Sequence, residues 1–128
     1  MNAKMIAWIA FGGATGSVAR YLVMSVVGHL TPAGFPYATL AVNIIGSFIM
    51  GALIEILALT WSPSPELRNL IVIGVLGGFT TFSTFSMDTY YLFERSQYLA
   101  AGLYMAGSVF ISVIGIAVGM SLFRNILS

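Results

Sequence analysis

Residues 98–123 form a run of 26 amino acids without one charge. About 20 predominantly apolar residues are enough for an α-helix to cross a bilayer. This one segment therefore fixes the solvent: part of the chain lies in hydrocarbon. There every backbone N–H and C=O needs a partner within the protein, and an α-helix supplies one locally. Residues 5–27, 39–60 and 67–92 repeat the apolar pattern. Charged residues make up 7% of the chain, where a soluble domain carries about 25%, so a soluble fold of this length could not cover its surface. The expectation is an all-α integral membrane protein, a single four-helix domain over residues 1–128. Lys4 ahead of the first run resembles the basic start of a signal peptide. The apolar stretch behind it is longer than a signal core and continues into membrane-like sequence, so it reads as the first span.

Several function classes drop out. A net charge of +1 gives no footprint for nucleic acid. With no cysteine there are no disulfides, thiol nucleophiles or thiolate metal sites. His29 is the single histidine and falls in a loop, so it makes no metal centre. No nucleophile–base pair stands out, so the chain does not read as an enzyme.

The third run carries an interruption, Gly77-Gly78-Phe79-Thr80-Thr81-Phe82-Ser83-Thr84-Phe85-Ser86. Each glycine costs about 1 kcal/mol against alanine in a helix, and the threonine hydroxyls compete for backbone partners. Two half-helices over 67–76 and 84–92 are expected around it, with unpaired N–H groups on one side and unpaired carbonyls on the other. Phe79, Phe82 and Phe85 recur every third residue, a spacing that taken alone suits packing. Asp88 would point toward the aqueous end of the second half-helix.

Polar residues recur at helical spacing on two other spans. Thr39, Asn43 and Ser47 lie at i, i+4 and i+8 on the second, and Tyr104, Ser108 and Ser112 repeat that spacing on the fourth. Such ladders glue helices together or line a path. Arg20, within the first span, snorkels to headgroups or sets a fixed positive charge at a pore mouth. Gly12 with Gly16, and Gly115 with Gly119, are small-residue pairs that let helix backbones approach closely. Glu55 is expected at the water boundary of the second span. Short donors, one arginine and no acidic ring favour an anion over a cation. Phenylalanine edges carry partial positive charge and can face such an ion. The residues alone lead to a small dehydrated anion or a small polar solute.

Four spans put both termini on one side, with Lys4, Arg68 and Arg124; the other side holds Arg95 and, if it snorkels there, Arg20. Orientation follows the Lys/Arg difference between sides. Three against one or two is a weak bias, which suggests dual topology and antiparallel subunits.

The interrupted stretch closely resembles the broken-helix signature of the Fluc (CrcB-like) fluoride channels. Thr39-Leu40-Ala41-Val42-Asn43-Ile44-Ile45-Gly46 resembles that family's second-helix motif, and Gly12-Gly13-Ala14 through Gly16 to Arg20 resembles its first-helix motif. The resemblance covers essentially the whole chain. It implies an antiparallel dual-topology homodimer in the bacterial plasma (inner) membrane, with two passive fluoride pores along the subunit interface. By motif match Asn43, Phe82 and Phe85 line the pore, Tyr104, Ser108 and Ser112 form its polar track, Thr39 adds a donor, and Arg20 stands at the vestibule. A structural sodium ion would be held by the backbone carbonyls of Gly77 and Thr80 from both subunits. Asp88 stands where the family more often has glutamate, and Ala38 where glycine is common. The alternative is a small multidrug-type dual-topology transporter. That chemistry wants a carboxylate deep in the first span, and residues 5–27 contain none.

Overall fold

Asn2 starts the first helix. Its Oδ1 accepts the backbone N–H groups of Lys4 and Met5, donors that have no partner inside a helix. The computed structural model describes all residues, Met1–Ser128. Helix α1 runs Ala3–Leu30. A turn with Gly34 at φ +106°, a conformation that glycine adopts without a Cβ penalty, leads into α2, Tyr37–Leu59. Ser64 caps α3: its Oγ accepts from the Leu67 N–H at 3.2 Å. Pro65 takes the first helical position, where a missing N–H costs nothing. Helix α3 covers residues 65–79, α4 Phe82–Glu94, and α5 Tyr98–Leu127.

Four spans are long and apolar enough to cross a membrane, and the third, Pro65–Glu94, consists of α3 and α4 joined by a break. The chain is thus a multi-pass membrane protein with an interrupted third span. The break is narrower than the sequence suggests. Both glycines stay helical, and Phe82 already belongs to α4, so only Thr80 and Thr81 unwind. Thr80 stops α3 by turning its N–H and its Oγ1 onto the Leu76 carbonyl, at 3.1 and 2.9 Å. Thr81 starts α4 by accepting the Thr84 N–H on its Oγ1 at 3.1 Å. Two adjacent threonines act as C-terminal and N-terminal caps back to back.

A second irregularity gave no sequence signal. Leu70–Leu76 is π-helical, a widened coil that usually occupies a single turn at functional sites. It lies where α1 crosses. A Cβ on Gly12 would come within 2.2 Å of the Leu70 carbonyl oxygen, and one on Gly16 within 2.1 Å of that of Val75. On the α3 side, Gly74 sits against Gly12 and Ile9, and Gly78 against Gly13 and Ser17. Any side chain at Gly12 or Gly16 would separate two backbones, so the first-span glycine pair serves packing. The fourth-span pair does so in part. Gly119 meets the Phe48 carbonyl while Gly115 is looser, and Gly51 of α2 meets the Ile116 carbonyl.

The break lets the two halves of one span address different partners. Helix α3 packs on α1, α4 packs on α5, and α2 lies along α5 for much of its length. Only 19 of 128 residues are buried, too few for a protein that shields its apolar groups from water by itself. The one apolar cluster, Leu92, Ala101 and Tyr104 with Phe35, Leu40 and Phe85 against it, ties α4 and α5 together near the loop between α1 and α2. Glu55, expected to reach water near the end of the second span, is instead covered by protein. It is 5% exposed and accepts from Arg124 at 2.6 Å. Helix α5 continues to Leu127 and brings the guanidinium alongside α2.

Candidate functional site

An unwound residue inside a bilayer must place one N–H and one C=O. Asn43 takes both from Thr81. The Thr81 N–H donates to Asn43 Oδ1 at 2.8 Å, and Asn43 Nδ2 donates to the Thr81 carbonyl at 3.0 Å. Thr81 is extended, at φ −152° and ψ 121°, so the side-chain amide pairs with it much as a neighbouring strand would. One N–H of the Asn43 amide stays free, because Nδ2 carries two. Gly46, three residues on, receives the Thr80 Cγ2 methyl where a Cβ would stand, 2.2 Å from it. The second-span motif therefore holds the break in place through one amide and one absent side chain.

Beside the break opens a cavity of about 470 Å³. Of the residues singled out from sequence, Asn43, Phe82, Phe85, Ser108 and Ser112 line it, as do Gly77 and Thr80. Ser108 Oγ is buried and has no hydrogen-bond partner. A buried hydroxyl without a partner is costly, and this one lies on a cavity wall with an amide N–H and two phenyl rings. Phe82 is 77% exposed, directed away from the protomer's own core, while Phe85 packs on Tyr104 with ring centroids 5.1 Å apart.

Thr39 and Tyr104 lie off this cavity. Both are almost fully buried, at 2% and 1% exposure, and both donate to one oxygen, Asp88 Oδ2, at 2.7 and 3.0 Å. Asp88 is the partner that sequence reasoning placed at the aqueous end without joining it to the ladders. Its spacing from Phe85 was visible, but nothing in one sequence says which of two ladders a carboxylate meets. Arg20 is half-buried and lines neither the cavity nor this cluster. Because α1 reaches Leu30, Arg20 lies ten residues before the helix end, about 15 Å of rise.

The carbonyls of Gly77 and Thr80 accept no hydrogen bond. Their usual donors are diverted: the Thr81 N–H goes to Asn43 and the Thr84 N–H to Thr81 Oγ1. These are hard oxygen atoms left over at the end of a helix, of the sort that coordinates small cations in broken-helix membrane proteins. No three His, Asp or Glu residues gather elsewhere in the chain.

Residues 7–120 match the family model described as CrcB-like protein, Camphor Resistance (CrcB). The chain is 48% identical over 122 residues to the fluoride-specific ion channel FluC of Rhodospirillum centenum, covering 95% of this chain and 97% of that one. It is 47% identical over 116 residues to the protein of the same name from Rhizobium johnstonii, with 91% and 93% covered. With that of Agrobacterium fabrum it shares 47% over 121 residues, with 94% and 97% covered. These relatives are ion channels and not enzymes. A full-length match of this kind, on a chain whose third span breaks between two threonines stapled by an asparagine, shows that the protein belongs to the CrcB-like family.

Proposed function

We propose that the protein is a passive fluoride channel of the bacterial plasma membrane, built as an antiparallel homodimer with two pores. The observation that carries this reading is the unpartnered Ser108 hydroxyl on the cavity wall. Together with the spare Asn43 N–H and the edges of Phe82 and Phe85, it gives the wall hydrogen-bond donors and positive ring edges. Fluoride is compact and accepts hydrogen bonds strongly. A ladder of single donors replaces its water stepwise, and a narrow wall of phenyl edges accepts the bare ion. The relatives' name, fluoride-specific ion channel, supports the choice of ion.

Dimerisation is supported by what one protomer leaves uncovered. The cavity opens on the α2, break and α5 side, and Phe82, Val109 and Val113 on its wall are all more than half exposed. A second copy would complete the wall. Symmetry would also bring two Gly77 and two Thr80 carbonyls together. Four hard oxygens suit sodium, which would supply a fixed positive charge tying the two breaks. Thr39 and Tyr104 extend the track toward the Asp88 end, and Arg20 fits a vestibule role on the α1 side of the break.

Fluoride efflux from liposomes holding the purified protein, read with a fluoride electrode, tests the reading. Fast efflux without a proton gradient and with little chloride is expected. Absence of fluoride flux overturns it, and flux that needs a proton gradient favours the transporter alternative. Replacing sodium by a large organic cation is expected to weaken the dimer on gel filtration or reduce flux. No change in either removes the ion from the proposal.

A further inference from the structure

Past the Asp88 cluster lies a second, smaller cavity of about 170 Å³ at the end of the bundle. Gly34, Phe35 and Pro36 wall one side, and Asp88, Tyr91 and Arg95 the other. Asp88 and Arg95 are seven residues apart, so they share one face of α4 two turns apart. Arg95 forms the C-cap of α4, its N–H bonded to the Tyr91 carbonyl at 3.0 Å. The chain then turns through Ser96 at φ 58°, with the Gln97 N–H closing onto the Leu92 carbonyl at 2.8 Å. This closure fixes the direction in which Arg95 leaves the helix. The guanidinium is exposed and has no ion-pair partner, since the one ion pair of the chain joins Arg124 to Glu55.

A chain of rings joins this cavity to the larger one. Phe82 touches Phe85 at 5.4 Å between centroids, Phe85 touches Tyr104 at 5.1 Å, and Tyr104 meets Phe35 edge-on at 5.6 Å. Phe82 and Phe85 line the larger cavity and Phe35 the smaller. An anion travelling this line meets the carboxylate of Asp88 at its outer end. A carboxylate alone at a mouth repels anions. Arg95 is the one cation on that wall, always charged and weakly hydrated.

We propose that Arg95 is the anion-collecting residue of the mouth: it offsets the Asp88 charge and raises the local fluoride concentration in the small cavity. The inference rests on the channel reading and assigns a role that the pore residues do not have. Steering by an exposed charge acts on the rate of capture and is screened by salt, which separates it from a packing role. The experiment compares the wild type with Arg95→Lys, Arg95→Gln and Arg95→Glu in liposomes with an impermeant salt at about 10 mM and about 0.5 M ionic strength. Gel filtration confirms that each variant is folded.

At low salt the initial fluoride efflux is expected to fall in the order Lys, Gln, Glu. Gln should lose roughly 3- to 10-fold and Glu more, and the differences should shrink below about 2-fold at high salt. Equal flux in all four proteins at low salt overturns the proposal, and so does a loss of the same size at both ionic strengths, which marks a structural role. A wild type that fails to conduct fluoride at all defeats the channel reading instead.

Discussion

At the scale of single residues, the two polar ladders divide into groups with different tasks. Asn43 is a staple first, since both ends of its amide hold Thr81. Asn43→Ala leaves that N–H and C=O unpaired, at a cost of about 1–3 kcal/mol for each buried group. We expect it to lower both thermal stability and fluoride flux. Ser108 has no bond to lose. Ser108→Ala should leave the melting temperature in detergent unchanged or slightly higher while reducing flux several-fold. If both fall together, Ser108 is part of the packing and not of the path. The phenylalanines differ likewise. Phe85→Ile removes a ring packed on Tyr104 and belongs to the α4–α5 cluster, so stability should drop with flux. Phe82 is exposed in the protomer, so Phe82→Ile should impair flux with little change in the melting temperature. Unchanged flux in both variants would take the rings out of the pore.

At the scale of elements, most of the helices were legible. A chain this poor in charge announces its spans, and Pro63, Pro65, Gly34 and Pro36 mark the loops. The break was legible as an interruption but not in its width. Double glycine and the adjacent threonines argue against helix over residues 77–83, yet tertiary packing overrode propensity at five of those seven positions. Gly78 stays helical where α3 needs a small residue against α1, as its contact with the Gly13 carbonyl shows. The π-helical stretch Leu70–Leu76 was illegible, because Leu-Ile-Val-Ile-Gly-Val-Leu reads as an ordinary apolar helix. The ion pair that covers Glu55 was illegible too: its partner is 69 positions away. The packing of Gly46 on the break carries its own prediction. Gly46→Ala should push the Thr80 methyl aside and destabilise the break by about 1–3 kcal/mol, the usual cost of overpacking. Thr80→Ser removes that methyl and keeps the hydroxyl bonded to Leu76. The pair Gly46→Ala with Thr80→Ser should therefore recover most of the stability and flux that Gly46→Ala loses. Additive losses in the double variant would show that Gly46 serves some contact other than Thr80.

At the scale of the whole molecule, the proposed architecture depends on the chain inserting both ways. Its five basic side chains divide as Lys4, Arg68 and Arg124 toward the termini, Arg95 toward the other end, and Arg20 within the first span. Lys/Arg counts within short loops and near span ends decide orientation, so a few added charges should fix it. Two lysines in the 31–36 loop should turn that end toward the cytoplasm, and two near the C-terminus should do the reverse. Each variant alone would then populate one orientation, and an antiparallel dimer could not assemble from it. Fluoride resistance of cells and flux from purified protein should both collapse for either variant expressed alone and return when the two are expressed together. The rescue is the informative half: it cannot come from repairing a misfolded subunit, because neither partner carries the wild-type charges. Full activity of either biased variant alone, with its orientation verified by tag accessibility, would mean that parallel subunits suffice, and the cavity beside the break would need another occupant.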